Sequence, residues 1–352
     1  MNVNNKNNSL VSVIIPVFNT PQELLNRAFQ SVLDQDVMLE LIVVDDGSDQ
    51  ETKLFLDDYA LTHECVKVIH SENYGVSRAR NKGIEAAQGQ YVAFLDADDA
   101  ITKNSLHEAL GIIESSKADI VCGGRRDEFP DGTIKEQIQD FSDTKGYRIL
   151  DQLDIKYLKC CVFDADALSN IGLKPMRYIT NGATLYRAHI LENVRFDEKI
   201  KLSEDRLFNL ECFDVANTVA ISNQTWYRYI HNSFSASGKS RISAGEELLL
   251  TAKRFEGFLG TDDAYFDQCV YQGIIECFMQ SIEFALLRPG FKQASKISKK
   301  KYIDKLLEDK TYIMAFKNVQ EKNIKQKIFC RLAKAKCSYG IYYLMLAAKK
   351  LL

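Results

Sequence analysis

Proline is scarce, at 5 in 352 residues, and tryptophan occurs once. So little proline excludes a proline-rich or collagen-like chain. No stretch reaches the roughly 18 uninterrupted apolar residues of a spanning helix, although Ser338 to Leu352 is apolar enough to notice. The first ten residues carry neither the basic start nor the apolar stretch of a signal peptide, so they read as a polar tail and the expected compartment is the cytoplasm. Neither a glycine-rich dinucleotide turn nor a phosphate loop ending in Lys-Ser/Thr occurs, which removes dehydrogenases and loop-type kinases. Cysteine is present but unpatterned. Its 9 copies are an odd number without ligand-like spacing, apart from adjacent Cys160 and Cys161. Several sit in apolar runs such as Ile120-Val121-Cys122, which fits buried free thiols in a reducing compartment.

What is present is an ordinary globular composition, 46% hydrophobic and 26% charged. The length exceeds the roughly 250–300 residues at which single cores stop growing, so two or three structural units are expected. A formal net charge of −3 conceals an asymmetry: residues 288–352 hold 17 Lys and Arg against 4 Asp and Glu, a net of +13.

The N-terminal third alternates β-rich runs with helical patterns, as a parallel sheet with covering helices does. The pattern predicts strands near Val11–Val17, Leu39–Asp45, Val66–His70, Tyr91–Asp96 and Asp119–Gly123. It predicts helices near Pro21–Leu33, Glu51–Leu61, Val76–Ala87 and Lys103–Ser115. Phe129 to Lys174 lacks sustained periodicity and reads as a turn-rich insertion. Asn181–Ile190 and Thr218–Ile230 read as strands flanking a helix near Glu204–Val215, and from Ala244 the signals are helical, with a break at Pro289-Gly290. The expected divisions are 1–125, 126–237 and 238–352.

Phe94-Leu95-Asp96-Ala97-Asp98-Asp99 is an apolar strand ending in three carboxylates. Such a cluster repels itself unless a cation neutralises it. Mg²⁺ and Mn²⁺ take oxygen ligands and leave positions open for substrate phosphates, which makes this a candidate diphosphate–metal site. Asp98 or Asp99 as a cap of the following helix is the alternative, and it accounts for one aspartate only. A second strand ends in Asp45-Asp46-Gly47-Ser48. Ligands of open α/β sheets bind outside the carboxyl ends of the strands, so the two acidic ends point to one crevice. An aspartate there accepts from a uracil imide or ribose hydroxyls, or else it shapes a turn with Gly47 and Ser48. Between them, a polar loop from His70 to Gly75 feeds a helix carrying Arg78, Arg80 and Lys82. Arg80 in the crevice would bind phosphate or hold an aspartate; otherwise the helix presents a solvated basic face.

In this order, and preceded by Pro16, Phe18 and Asn19 at the end of the first strand, these pieces resemble the family-2 inverting glycosyltransferases of the glycosyltransferase-A fold. That family opens with a strand ending in Pro, an aromatic (more often Tyr than Phe) and Asn. Its Asp-Asp-Gly-Ser turn is matched by Asp45 to Ser48, with the second Asp expected near the nucleobase. Its loop of Asn, Gly, Ala-Arg-Asn and Gly is matched by Asn73, Gly75, Ala79 to Asn81 and Gly83, and its Asp-any-Asp motif by Asp96 and Asp98. The resemblance spans residues 11–125. It implies an α/β fold with a mostly parallel sheet sandwiched by helices and a C-terminal helical appendage. It also implies an inverting transfer from a nucleotide diphosphate sugar, commonly a UDP-sugar, to a hydroxyl of a carbohydrate, glycan or lipid-linked acceptor in polysaccharide or glycoconjugate assembly. Residues 1–125 would bind the donor, through Pro16, Phe18, Asn19, Asp45, Asp46, Asn73, Arg80 and Asp96. Asp96 and Asp98 would hold Mg²⁺ or Mn²⁺ against the diphosphate.

Leu202-Ser203-Glu204-Asp205-Arg206-Leu207-Phe208 resembles the family's Glu-Asp pair at the head of an apolar helix, where one carboxylate is the general base. The resemblance points to Asp205 in that role, with Glu204 the second claimant, inside an acceptor-binding half at 126–237. Without the family, the same residues are an acidic first turn favoured by the helix dipole. His231 falls where family members often carry a His or Arg close to the metal, although a lone histidine is commonly structural. Trp226 would stack on a sugar ring or pack in the core, and packing is the expected use. Lys299 to Lys301, Lys322, Lys325, Lys327, Arg331, Lys334 and Lys336 are interleaved with apolar residues. They suit either the anionic inner face of a membrane or a solvated or oligomer-forming surface. No motif supports nucleic-acid binding. The rivals are a phosphohydrolase, which would need a nucleophilic Asp motif that is missing, and a transferase-like carbohydrate-binding or scaffold subunit.

Overall fold

Val11–Val17 (β1) and Leu39–Asp46 (β2) are apolar runs buried along most of their length, as strands covered on both faces are. The computed structural model describes residues 10–141, 145–176, 181–232, 243–287 and 296–350. β1 pairs in parallel with β2 and with Tyr91–Phe94 (β4), and β2 pairs in parallel with Val66–Ser71 (β3). Parallel neighbours need crossovers, supplied by Gln22–Leu33 (α1), Gln50–Thr62 (α2) and Val76–Ala86 (α3). The register sets Val17 against Asp45, Asp46 against Ser71 and Ile14 against Phe94, so the carboxyl ends of these strands open along one edge.

The sheet continues through Ala100–Ile101 (β5), Ile120–Glu128 (β6), Ile134–Gln137 (β7), Tyr147–Leu150 (β8), Thr184–Arg187 (β9) and Val219–Ile230 (β10). Its main order is β3-β2-β1-β4-β9-β6-β10-β5, with β7 on β6 and β8 on β10. β9 runs antiparallel between β4 and β6, whereas β10 is parallel to β6 with register shifts between Ile221 and Tyr227. Ser105–Ser116 (α4), Gln152–Phe163 (α5) and Glu204–Val215 (α6) complete the layers.

Two compact units emerge. The first comprises Met1–Val162, Leu168–Lys199 and Glu204–Phe234; the second comprises Phe163–Ala167, Ile200–Ser203 and Ser235–Leu352. In the second lie Ala244–Glu256 (α7), Ala264–Ile282 (α8), Lys296–Leu307 (α9), Lys310–Asn318 (α10), Ile324–Lys334 (α11) and Ser338–Lys350 (α12). Phe278 anchors its core, meeting the rings of Tyr312 and Phe316 edge-on at centroid distances of 5.2 and 5.1 Å. No helix among the described residues is long and apolar enough to cross a membrane. All nine cysteines are free, seven of them buried.

Three expectations need correction. The stretch from Phe129 to Lys174 is not merely turns: it contains β7, β8 and α5. Asp151 starts α5 by accepting from the backbone N–H groups of Leu153 and Asp154, and the buried Cys160 and Cys161 serve as part of its apolar side, which hides the helical period. β9 covers only Thr184–Arg187 of the strand expected at Asn181–Ile190, because 3₁₀ turns occupy Asn181–Ala183 and Ala188–Leu191. β4 stops at Phe94 because the chain turns through Leu95–Asp99, closed by a hydrogen bond from Asp99 N–H to the Asp96 carbonyl. The break expected at Pro289-Gly290 lies outside the described residues.

Candidate active site

The Asp-Asp-Gly-Ser turn after β2 is built from backbone necessity. Gly47 sits at φ 76°, where side chains are disfavoured, and an added Cβ would stand 2.6 Å from the Asn73 nitrogen. Only glycine lets the 72–75 loop pass this close. Asp45 is fully buried; it accepts from Ser48 N–H at 2.8 Å through Oδ1, and its Oδ2 lies 2.8 Å from His70 Nδ1. Burial disfavours the His70 imidazolium, but hydrogen bonds to Asp45 and Asp57 outweigh this and raise its pKa. Asp45 is thus a brace of the turn, with no carboxylate surface open to a nucleotide, contrary to the contact expected of it. Asp46 accepts from the N–H groups of Tyr74 and Gly75, both at 2.9 Å, and orders the loop that follows β3. At the end of β1, Asn19 donates its N–H to Ser48 Oγ at 3.0 Å and accepts from Asp49 N–H at 2.8 Å, while Phe18 and Asn73 leave their side chains exposed. Pro16 stays in β1, half-buried and opposite Val44.

Arg80, on α3, joins the two halves of the site. Its Nη2 donates to Asp96 Oδ1 and its Nη1 to Glu204 Oε1, each at 2.8 Å, from a side chain only 7% exposed. Burial opposes its charge, but Asp96 and Glu204 more than offset that and raise its pKa. Of the two roles open to it, the geometry favours holding carboxylates, because both ends of its fork are occupied. Glu204 begins α6 with its carboxyl pushed up by burial, against the pull of Arg80. Asp205 is half-exposed beside it, and its Oδ1 accepts the Arg206 N–H at 2.8 Å.

The three aspartates after β4 fall into distinct settings. Asp96 is 45% exposed. Asp98 accepts from Asn232 Nδ2 at 3.3 Å. Asp99 is buried and is not a helix cap: α4 starts at Ser105 with Asn104 in the cap position, while Asp99 takes the Ile230 N–H at 2.8 Å and the Tyr227 hydroxyl. Burial first, then the charges of Asp98 and Asp96, lift the Asp99 carboxyl well above its ordinary range. The Tyr227 hydroxyl also stands 3.5 Å from Asp96 Oδ2, so the buried ring lies beside both carboxylates while its one proton goes to Asp99. Sequence reasoning missed Tyr227 and Asn232. Neither carries a motif, and only the register of β10 brings them to the crevice.

His231 is the clear correction. Its Nε2 lies 3.0 Å from Asp127 Oδ1 and its ring stacks on Phe129 at 4.1 Å, so the imidazole joins β6 and not the Asp96–Asp98 pair. Among the described residues, no three His, Cys, Asp or Glu side chains are grouped to hold a metal. Trp226 is buried in the core and donates to Glu108, as packing required.

Gly182 makes room for Tyr227: an added Cβ would stand 2.0 Å from the ring. Gly182→Ala is therefore expected to destabilise the fold by about 1–3 kcal/mol, read as a lowered Tm, because a buried ring bonded to Asp99 has little freedom to move aside.

Residues 12–172 match the family described as glycosyl transferase family 2. The glycosyltransferase EpsJ of Bacillus subtilis is 31% identical over 228 residues, 63% of this chain and 61% of EpsJ. The minor teichoic acid biosynthesis protein GgaB of the same organism is 28% identical over 205 residues, 56% of this chain and 20% of GgaB. The chain thus spans less than two thirds of these relatives. The crystal structure of S. aureus TarS 1–349 in complex with UDP-GlcNAc superposes with a TM-score of 0.66 at 20% identity, covering 97% of this chain and 91% of that one. That likeness establishes the glycosyltransferase-A type of fold, a mixed α/β sheet flanked by helices with further C-terminal helices. The similarity to glycosyl transferase family 2 thus covers residues 12–172, somewhat less than half of this chain.

Proposed function

We propose that the protein is an inverting glycosyltransferase that moves a sugar from a nucleotide diphosphate donor, a UDP-sugar, to a hydroxyl of a carbohydrate or lipid-linked saccharide in polysaccharide assembly. One observation carries this reading: Arg80 bridges Asp96 and Glu204, residues of two motifs far apart in the sequence. One carboxylate from each of the two motifs is thereby held by a single side chain, which supports their working together. The teichoic acid role in GgaB's name and the UDP-GlcNAc in the TarS complex support the substrate class.

Asp46 orders the loop against which the nucleotide would lie, together with the exposed Phe18 and Asn73. Asp96 and Asp98 offer two carboxylates and no nitrogen or sulfur, a donor set that fits Mg²⁺ or Mn²⁺ completing their shells with water and phosphate oxygens. When bound, such an ion offsets the negative charge that grows on the departing diphosphate. Arg80 keeps Asp96 aimed and fixes the head of α6. Asp205 takes the proton from the acceptor hydroxyl as its oxygen attacks the anomeric carbon from the face opposite the diphosphate, which inverts that centre.

A panel of nucleotide sugars, each with and without Mn²⁺, tests the reading by thermal denaturation. A true donor at about 100 times its Kd adds about 2.7 kcal/mol of stability by mass action. A metal-dependent rise in Tm with a UDP-sugar is expected; no rise with any nucleotide sugar would overturn the proposal. Release of UDP in the presence of acceptor separates an enzyme from a binding or scaffold subunit.

A further inference from the structure

Within the helical unit, α9 and α12 flank a groove of about 150 Å³ that the crevice chemistry does not use. One side carries Lys299 and Lys300, and the other Tyr339, Tyr342, Tyr343 and Leu346. Lys299 Nζ donates to the Tyr342 hydroxyl at 2.9 Å and stands 4.8 Å from that ring's centroid. Its partner is a neutral phenol, which leaves the positive charge uncancelled. Lys300 is offset by Asp304 at 2.6 Å. Tyr339 and Tyr343, one turn apart, remain 40% and 49% exposed. Rings with an apolar body and a polar tip suit a boundary between water and hydrocarbon. The surrounding stretch, 288–352, carries a net charge of +13. Its match is an anion with an apolar continuation.

We propose that this groove takes the headgroup of an anionic phospholipid, with its phosphate on Lys299 and Lys300 and its first methylenes along Tyr339, Tyr343 and Leu346. The groove would then hold the helical unit at a membrane surface. This inference stands independently of the reading of the crevice.

The test is flotation of the full chain with phosphatidylcholine vesicles, with and without phosphatidylglycerol, in low salt. Binding is expected only with phosphatidylglycerol. A lysine near an anionic surface contributes about five-fold in partitioning, so Lys299→Gln/Lys300→Gln should lower it by about 25-fold. Lys325→Gln/Lys327→Gln removes equal charge from exposed positions on α11 and should lower it by less than about five-fold. Tyr343→Ser should also weaken binding with its own Tm unchanged, and Lys300→Gln alone gives a reading if the double variant unfolds. Equal losses in the two double variants would reduce the effect to diffuse charge and overturn the site. So would lipid-independent binding, no binding, or complete displacement by glycerol phosphate, which would make the ligand a free phosphate. Dissociation of a dimer by Tyr343→Ser, without vesicle binding, would assign the groove to a second copy of the chain.

Discussion

Asp98→Ala is expected to lower sugar transfer by at least about 10²–10³-fold, the loss typical when a group stabilising charge in the transition state is removed. The fold should survive. The 96–99 turn is held by contacts that an alanine at 98 keeps: Arg27 donates to the Asp98 carbonyl, Asp99 takes the Ile230 N–H, and Tyr227 donates to Asp99. Removing one of three crowded carboxylates also relieves repulsion, so Tm should stay level or rise. Calorimetry provides the decisive measurement, because Mn²⁺-dependent donor affinity should vanish along with turnover. Donor binding that persists with its metal dependence intact would remove Asp98 from the site. Asp96→Ala should be more damaging to the fold, since it strands one end of the buried Arg80 fork.

The donor-side architecture was legible because its signals are local. Apolar runs as long as β1 and β2 read as buried parallel strands, and their acidic ends fall together once the strands are placed side by side. Motif identity did not reveal which oxygen faces where. Asp45 and Asp46 are sequence neighbours on a strand, so their side chains leave opposite faces; one braces His70 and the turn, the other orders the 73–75 loop. The cap alternative fails for Asp99 for a similar reason. Four residues before the expected start of a helix at Lys103, a carboxylate looks like a cap, whereas β10, arriving from over a hundred residues away, supplies its true partners in Tyr227 and Ile230. His231 shows the converse, since proximity in sequence to the crevice-facing Asn232 does not bring its ring there. It alternates to the other side and packs on Phe129 and Asp127. Long-range register is not encoded by any short window, and it decided each of these cases.

Asp205→Asn separates binding from chemistry at one residue. Asparagine matches aspartate in size and can still accept the Arg206 N–H that Asp205 Oδ1 takes at 2.8 Å, so the head of α6 should hold its shape. It cannot take a proton at neutral pH. The donor should therefore bind normally with Mn²⁺, while transfer falls by about 10²–10⁴-fold, the range for a lost general base. Slow hydrolysis of the donor, if water can occupy the acceptor's place, should fall in parallel. Glu204 provides the control, because the structure sets the two carboxylates apart by their partners: Glu204 is tied to the Arg80 guanidinium, whereas Asp205 accepts a backbone N–H, that of Arg206. Glu204→Gln keeps a hydrogen bond to Arg80 but loses the charge, so its expected signature is a lower Tm and weaker donor binding through a loosened Asp96, with a smaller loss in the transfer step itself. A single-turnover assay at saturating donor distinguishes the two. Were Glu204→Gln to abolish that step while Asp205→Asn left it intact, the base would be Glu204 and the Arg80 pair would be its means of orientation. Loss of donor affinity in Asp205→Asn would instead make Asp205 part of the donor site.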